Sequence, residues 1–495
     1  MTAPTLRPSA APEVPRSENL DALRRLLAEQ AFSRAAGAPL VLGNQVDLLL
    51  DAEQNYPAWI EAIEGARQRV HVEMYILRND AVGRPFAELL ARKAREGVTV
   101  RLLYDWFGAL GKTSSRFWQQ LRQAGVEVRC CNPPRLDSPL AWTRRDHRKA
   151  IIVDGQLAFV SGLCIGQDWA GHPERGVAPW RDTGVAIRGP AVADVERAFA
   201  EVWANEGEPL PAEEIPRRED IPRAGEQSLR VIATSPETTG LLRLDLLWAA
   251  IARQRLWLAD AYFVGTPAYL GALQAAARAG VDVRLLVPSA SDIEALATFS
   301  RTQYRLLLES GVRVFEWDGP MMHAKSAVVD ARWARVGSTN LNMASWVGNW
   351  ELDVCVEDTG FGQSMEDAYL QDLDRSTEIL LEAGRKVQPR VEREPAARVR
   401  RVSPGSAGRA AAAALELGGR MGAAITRRPL APAEARSLSA IGGVMLLVPL
   451  LAIFTPRVVA LPVGLLAGWI GVALLVRARR LRRQIRRIEA GEALR

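Results

Sequence analysis

The sequence predicts an α/β protein made of two tandem copies of one domain, each a mixed sheet flanked by helices and related by a pseudo-twofold axis, with a C-terminal two-helix membrane hairpin. Three observations carry this. Three segments recur in the same order, at offsets of 186, 183 and 186 residues. Within each copy a helical stretch stops at a glycine and runs into a β-branched strand. Two uncharged runs of 18 and 19 residues then follow near the C-terminus.

The recurring segments are Ala66–Val70 with Ala252–Leu256, Gly97–Leu103 with Gly280–Leu286, and Ala124–Val128 with Ser310–Val314. In the first copy, Phe86, Leu89, Leu90 and Lys93 fall at helical spacing, Gly97 ends the helix, and Val98 to Tyr104 reads as a strand. Repeated helix–strand units of this kind argue a layered α/β sheet. The predicted boundaries are an N-terminal tail and amphipathic helix over 1–37, the first copy over 38–210, a Pro-, Glu- and Arg-rich surface linker over 211–227, and the second copy over 228–385. A flexible tether over 386–436, the hairpin over 437–476 and an Arg-rich tail over 477–495 complete the chain. In the N-terminal helix Leu20, Leu23, Leu26, Leu27 and Phe32 share one face, which either lies on a membrane or packs on the first copy. Met1 to Arg16 has no apolar run and does not read as a signal peptide.

Composition narrows the function classes. The chain carries a net charge of +6, but eight Arg and two Glu between Arg477 and Arg495 supply all of it, so residues 1–476 sum to zero. That balance argues against a nucleic-acid-binding body. Cys130, Cys131, Cys164 and Cys355 have neither zinc-site spacing nor a disulfide framework; Cys130 and Cys131 alternate faces at a strand end.

The chemistry is concentrated in two short motifs. The chain has four histidines and five lysines. Two of the histidines are each followed by a Lys two residues on and an Asp seven on: His147, Lys149, Asp154 and His323, Lys325, Asp330. Residues i and i+2 of a strand share a face, so each copy presents an imidazole and an ammonium together. Ala150–Val153 and Ser326–Val329 continue those strands as buried runs. Paired about a twofold axis, the two histidines would face each other across a phosphate. One would attack phosphorus, the other would protonate the leaving alcohol, and the two lysines would neutralise the phosphoryl oxygens. His71, ahead of a Val-Glu-Met-Tyr-Ile strand, and His172, in a Gly- and Pro-rich loop, lack the pattern and read as a strand residue and a solvated loop residue.

His-x-Lys-x4-Asp followed by Gly-Ser-x-Asn resembles the signature of the phospholipase D superfamily. The second copy has it in full, through Gly337, Ser338, Thr339 and Asn340; the first reads Ser161-Gly162-Leu163-Cys164, with Cys164 where the family has Asn. Further segments, including Glu73–Ile76, Trp180–Thr183, Tyr262–Val264 and Asn349–Glu351, are similar to those of bacterial cardiolipin synthases. The resemblance implies transfer of a phosphatidyl group between two phosphatidylglycerols, with release of glycerol, through a covalent phosphohistidine and with no metal or other cofactor. It implies His147 as nucleophile and His323 as general acid, although the two local motifs are equivalent. It also implies a phosphate pocket lined by Ser338, Asn340 and, in the first copy, a small buried Cys164. Asp182 and Glu351, at comparable downstream positions, are candidates to orient the two imidazoles; a salt bridge with Arg181 is the plainer role for Asp182. Asp154 and Asp330 are expected to brace strand and loop backbone. A hydrolytic phospholipase D, a metal-independent nuclease and a catalytically dead lipid-binding scaffold are the competing functions, and the intact His–Lys pairs weigh against the last.

The uncharged runs, Leu438–Thr455 and Val458–Val476, are separated by Pro456 and Arg457. They read as a spanning hairpin or a re-entrant one. Seven Arg between Arg477 and Arg487, with Arg427, Arg428 and Arg436 ahead of the first run, place both ends in the cytoplasm. The catalytic copies would then face the inner leaflet of a bacterial inner membrane, with the Arg cluster drawn to anionic headgroups. The partners implied are a phosphatidylglycerol-like lipid and the membrane.

Overall fold

A computed structural model describes residues 29–135, 143–236 and 238–381, together with a short strand at 387–389. The expected membrane hairpin, the Arg-rich tail and most of the tether and N-terminal segment lie outside the described residues. Among those described, no helix is long and apolar enough to cross a membrane.

The first copy forms β1 (Val41–Leu50), β2 (Arg69–Met74), β3 (Thr99–Asp105), β4 (Glu127–Cys131), β5 (Lys149–Val153), β6 (Leu157–Ser161) and β7 (Thr183–Arg188). The second forms β8 (Gln227–Thr234), β9 (Arg255–Ala259), β10 (Asp282–Pro288), β11 (Arg313–Trp317), β12 (Ser326–Val329), β13 (Trp333–Gly337) and β14 (Glu351–Glu357), extended by β15 (Ser376–Leu381) and β16 (Val387–Pro389). The strands make one sheet in the order β16-β15-β11-β10-β9-β12-β13-β14-β8-β1-β7-β6-β5-β2-β3-β4. The duplication is visible in that order. Each copy has three parallel strands (β2-β3-β4 and β9-β10-β11) next to an antiparallel meander, and the copies join edge to edge where β1 pairs antiparallel with β8.

Period-two alternation sorts the side chains. Ile151 and Val153 of β5 enter a core with Val70, Val72 and Trp59, under the helix Asp51–Gly65. Ala150 and Ile152 enter the opposite core, with Phe199 and Trp203 of the helix Val192–Asn205. This second core continues across the seam to Phe361, Met365 and Tyr369 of the helix Thr359–Leu373, so the two copies share it. A third core is built by the second copy together with Phe32, Ala36 and Ala38.

One expectation is corrected here. The described part of the N-terminal helix, from residue 29 onward, packs on the second copy and not the first: the Phe32 ring lies tilted against Trp333 at 5.3 Å, and Ala36 joins the same core. The linker runs over the surface and is pinned to the first copy, because Arg101 pairs with Glu214, Arg218 pairs with Asp194, and Ile221 is buried. At the end of β4, Cys131 is buried and Cys130 only partly so, the alternation a strand imposes.

Candidate active site

His147 and His323 lie just ahead of β5 and β12, level with the C-terminal ends of the parallel strands β2 and β9. Both are nearly buried. The backbone around each is tied to the other copy by a short parallel bridge, Asp146 to Trp350 and Met322 to Arg181. The His147 N–H donates to the Trp350 carbonyl at 2.9 Å, and the His323 N–H donates to that of Arg181 at 2.7 Å.

The residue after each bridging partner is an acid. Glu351 Oε2 therefore sits 2.9 Å from His147 Nδ1, and Asp182 Oδ2 sits 2.6 Å from His323 Nδ1. Each copy supplies the carboxylate for the other copy's imidazole. With Nδ1 so engaged, Nε2 of His147 is the nitrogen left to meet a substrate, whereas Nε2 of His323 also has Lys325 Nζ at 3.0 Å.

The two acids are held differently. Glu351 accepts from the Ser338 hydroxyl at 2.6 Å and the Asn349 amide at 3.0 Å. Asp182 accepts from the Trp169 indole at 3.1 Å and the Thr183 N–H at 2.9 Å. Gly162 occupies the position equivalent to Ser338, and a Cβ there would lie 2.1 Å from Asp182 Oδ1. The glycine makes room for the carboxylate, and Trp169 supplies the donor that Ser338 gives in the second copy. Burial alone would raise both acids. The imidazole facing each one, its hydrogen bond and the nearby lysine outweigh that and hold both below the ordinary carboxylate range.

The lysines complete the pair. Lys149 Nζ donates to the His147 carbonyl at 2.5 Å and lies 5.1 Å from the centre of the Tyr75 ring. Lys325 donates to the His323 carbonyl and lies 2.9 Å from Nδ1 and 3.0 Å from Nε2 of that ring. Burial lowers Lys325 to about 8. Burial also lowers both histidines to about 4, helped by the lysines and opposed by the acids. Both imidazoles are thus neutral near pH 7. Tyr75 meets the His147 ring edge-on at 4.8 Å, while Trp180 and Tyr262 flank His323 at 5.5 and 5.9 Å.

Other predicted residues fall as follows. Asp154 accepts from the N–H groups of Arg67, Gln68 and Arg69, and Asp330 from those of Arg253, Gln254 and Arg255, all at 2.8–2.9 Å. They brace the turns that lead into β2 and β9. Asn340 is buried, and its Oδ1 has no partner among the described residues. Cys164 is buried, with burial raising its thiol and Lys149 opposing. Ser338 departs from the expectation of a phosphate-lining hydroxyl: it donates to Glu351 and accepts the Leu352 N–H, so its bonds hold the acid. Asp182 is fully buried and is not spent on Arg181, whose guanidinium reaches Asp51 at 3.2 Å and Asp372 at 2.8 Å. His71, a β2 residue, is buried against Glu196 and stacked on Phe199; His172, in its loop, is 3.3 Å from Glu174.

Sequence reasoning missed Trp169, Arg148 and Arg181. Arg148 stands between the motif His and Lys, and it donates across the seam to the Glu351 carbonyl at 3.1 Å and the Thr234 carbonyl at 3.2 Å. Its only sequence signal is a charged residue where the second motif has Ala324.

Comparison with known proteins agrees with this geometry. The family model described as "Cardiolipin synthase, PLD-like domain" matches residues 59–203 and 249–373. The cardiolipin synthase of Alkalihalophilus pseudofirmus is 33% identical over 346 residues, covering 69% of this chain and 68% of the relative. Cardiolipin synthase A of Pseudomonas aeruginosa is 34% identical over 364 residues, covering 72% and 73%. Among solved structures, the phosphatidylserine synthase of Haemophilus influenzae superposes with a TM-score of 0.56 over 70% of this chain and 91% of that one; at 16% identity this likeness speaks for the fold alone.

Proposed function

The chain belongs to the cardiolipin synthase, phospholipase D-like family and is a phospholipid phosphatidyltransferase, and from that premise we propose that it joins two phosphatidylglycerols into cardiolipin and glycerol through a phosphohistidine. The observation that carries the reading is the exchanged pair of acid–imidazole contacts, His147 with Glu351 and His323 with Asp182. A nucleophile and a general acid are needed on opposite sides of one phosphorus, and two imidazoles with anchored Nδ1 atoms supply both.

In the first step His147 Nε2 attacks phosphorus. The P–N bond forms, the P–O bond to the glycerol headgroup breaks, and that oxygen takes the proton of His323 Nε2. In the second step a hydroxyl of the second phosphatidylglycerol attacks. Its P–O bond forms, the P–N bond breaks, and the hydroxyl proton passes to His323. Asp182 stabilises the imidazolium of His323, Glu351 holds His147 with Nε2 forward, and Lys149 and Lys325 offset the phosphoryl charge. The arriving phosphodiester anion raises the proton affinity of His323, which burial otherwise depresses.

The residues from Leu438 to Val476 would attach the chain to the membrane with its catalytic copies on the cytoplasmic side, and the arginines from Arg477 onward would lie against anionic headgroups.

The test is lipid mass spectrometry on detergent-solubilised protein given phosphatidylglycerol in the presence of a chelator. Cardiolipin and glycerol, abolished in His147→Ala and in His323→Ala, are the expected result. Phosphatidic acid as the sole product would make the chain a hydrolase, and cardiolipin from either variant would remove the two-histidine mechanism.

A further inference from the structure

Each orienting acid has a buried guanidinium on its own backbone carbonyl. For Glu351 it is Arg148, whose Nε donates to that carbonyl at 3.1 Å. The same side chain donates to the Ala198 carbonyl at 2.7 Å and the Thr234 carbonyl at 3.2 Å, and it lies over the Trp350 ring, 5.2 Å from its centre. Its ion partner Glu201, at 3.5 Å, is half-exposed. One residue earlier, the His147 N–H holds the Trp350 carbonyl. Consecutive residues of the first copy thus grip consecutive residues of the second.

For Asp182 the guanidinium is that of Arg181, also buried. Its Nη1 donates to the Asp182 carbonyl and to the Thr183 hydroxyl, the latter at 3.1 Å. The group is stretched between Asp51 of the first copy at 3.2 Å and Asp372 of the second at 2.8 Å. Asp51 binds the Asp182 backbone as well. Its N–H donates to the Asp182 carbonyl at 3.0 Å, and its Oδ1 accepts the Asp182 N–H at 2.8 Å. It does so at a φ of 54°, a conformation that a residue other than glycine keeps only where its surroundings hold it.

The two arginines stand at different places in the repeat. The second motif has Ala324 where the first has Arg148, and Trp350 precedes Glu351 where Arg181 precedes Asp182. Each His–acid pair nevertheless has one arginine, beside the histidine in one pair and beside the acid in the other. Both belong to the first copy and both reach the second. A tie that held only the seam would serve the two histidines alike, whereas these two hold different acids.

We propose that Arg148 and Arg181 are positioning residues, each for one imidazole. Arg148 fixes Glu351 and, through it, the attacking Nε2 of His147. Arg181, with Asp51, fixes Asp182 and, through it, the proton-donating His323. The inference rests on the two-histidine reading above. Neither guanidinium is bonded to an imidazole, so each acts through its acid. Removing one leaves backbone carbonyls unpaired and frees the acid to shift, and a displacement of about 1 Å costs on the order of 10²-fold in rate.

The test exploits the leaving group. The first step forms the bond from His147 Nε2 to phosphorus and breaks the P–O bond. Glycerol must take the His323 proton as it departs, whereas p-nitrophenolate departs as the anion with the bonding pair and needs none. Full-length protein in saturating excess is mixed with phosphatidylglycerol or phosphatidyl-p-nitrophenol in detergent micelles, and the single-turnover rate constant for release of glycerol or p-nitrophenolate is measured. That constant, unlike the amplitude, does not depend on how much protein is folded. Arg148→Met is expected to slow both releases by about 10²-fold. Arg181→Met is expected to slow glycerol release by about as much and to leave p-nitrophenolate release within about threefold of wild type. Arg148→Lys and Arg181→Lys keep the charge and are expected to give the same pattern at smaller size, and they serve where the Met proteins do not fold. Glycerol release within about twofold of wild type in either Met variant, or equal losses on the two substrates from Arg181→Met, overturns the assignment. Failure of the cardiolipin reading shows separately, as wild-type products that lack cardiolipin, because the leaving-group pattern is read before any acceptor enters.

Discussion

His147 Nδ1 lies 2.9 Å from Glu351 Oε2, across 204 residues of chain and across the seam between the two copies. The corresponding pair, His323 with Asp182, runs the other way at 2.6 Å. Neither half of the site is complete within one copy. Glu351→Gln and Asp182→Asn keep the shape of the site but remove the charge that fixes each tautomer. Each is expected to lower kcat by about 10²–10⁴-fold. Steady-state kinetics beside a thermal melt checks this; kcat within a factor of about two of wild type in both variants would show that the contacts are only structural.

The two histidines should also leave a mark on stability. Burial holds each at about 4, against about 6.5 in an unfolded chain. Between those values the unfolded state binds protons that the native state does not, so the contribution of each histidine is intact above pH 6.5 and is lost as pH falls toward 4. The full difference is on the order of 3 kcal/mol per histidine. Other buried groups titrate in the same window, so the measurement is a difference. The melting temperature of substrate-free His147→Gln or His323→Gln, relative to wild type, is expected to rise as pH drops from 7 to 4.5. A pH-independent difference would count against buried neutral imidazoles.

Gly162 and Ser338 occupy equivalent positions and should respond unequally to small changes. Gly162→Ala drives a methyl into Asp182. The expected result is about 1–3 kcal/mol of overpacking, with a loss of activity comparable to that of Asp182→Asn. Ser338→Ala removes a donor to Glu351, worth about 1.5–3 kcal/mol, and the acceptor of the Leu352 N–H, but it leaves the carboxylate its room and should be the milder change in activity. Parallel kinetics on the two variants decides between them.

Asp154 and Asp330 each collect three backbone N–H groups at a turn, with φ of 51° at the Asp itself. Asp154→Ala strands those donors and forces Ala into the left-handed region, at a cost of roughly 2–4 kcal/mol. Asp154→Asn, which tolerates that conformation better, should cost less. Denaturant titration checks the order, and equal losses in the two variants would contradict the brace.

The sequence by itself determined the duplication, the alternation of strand and helix, and the His–Lys pairs. Each of these is a local property: a strand puts residues i and i+2 on one face wherever it sits. That Asp154 and Asp330 hold backbone could be proposed from their place at a strand end, but the turns they bind, ahead of β2 and β9, lie some 75–87 residues upstream and only the tertiary structure names them. Glu351 and Asp182 could be proposed as orienting acids, but nothing in the local pattern says which imidazole each one meets. The tertiary structure decided that, through the two short bridges that tie Trp350 to Asp146 and Arg181 to Met322. It also turned Ser338 toward Glu351, brought the Trp169 indole to Asp182, and seated Phe32 on the second copy. None of these contacts joins residues of one strand or helix, so each is set by how separate elements of the sheet and its helices meet and not by any periodicity along one of them.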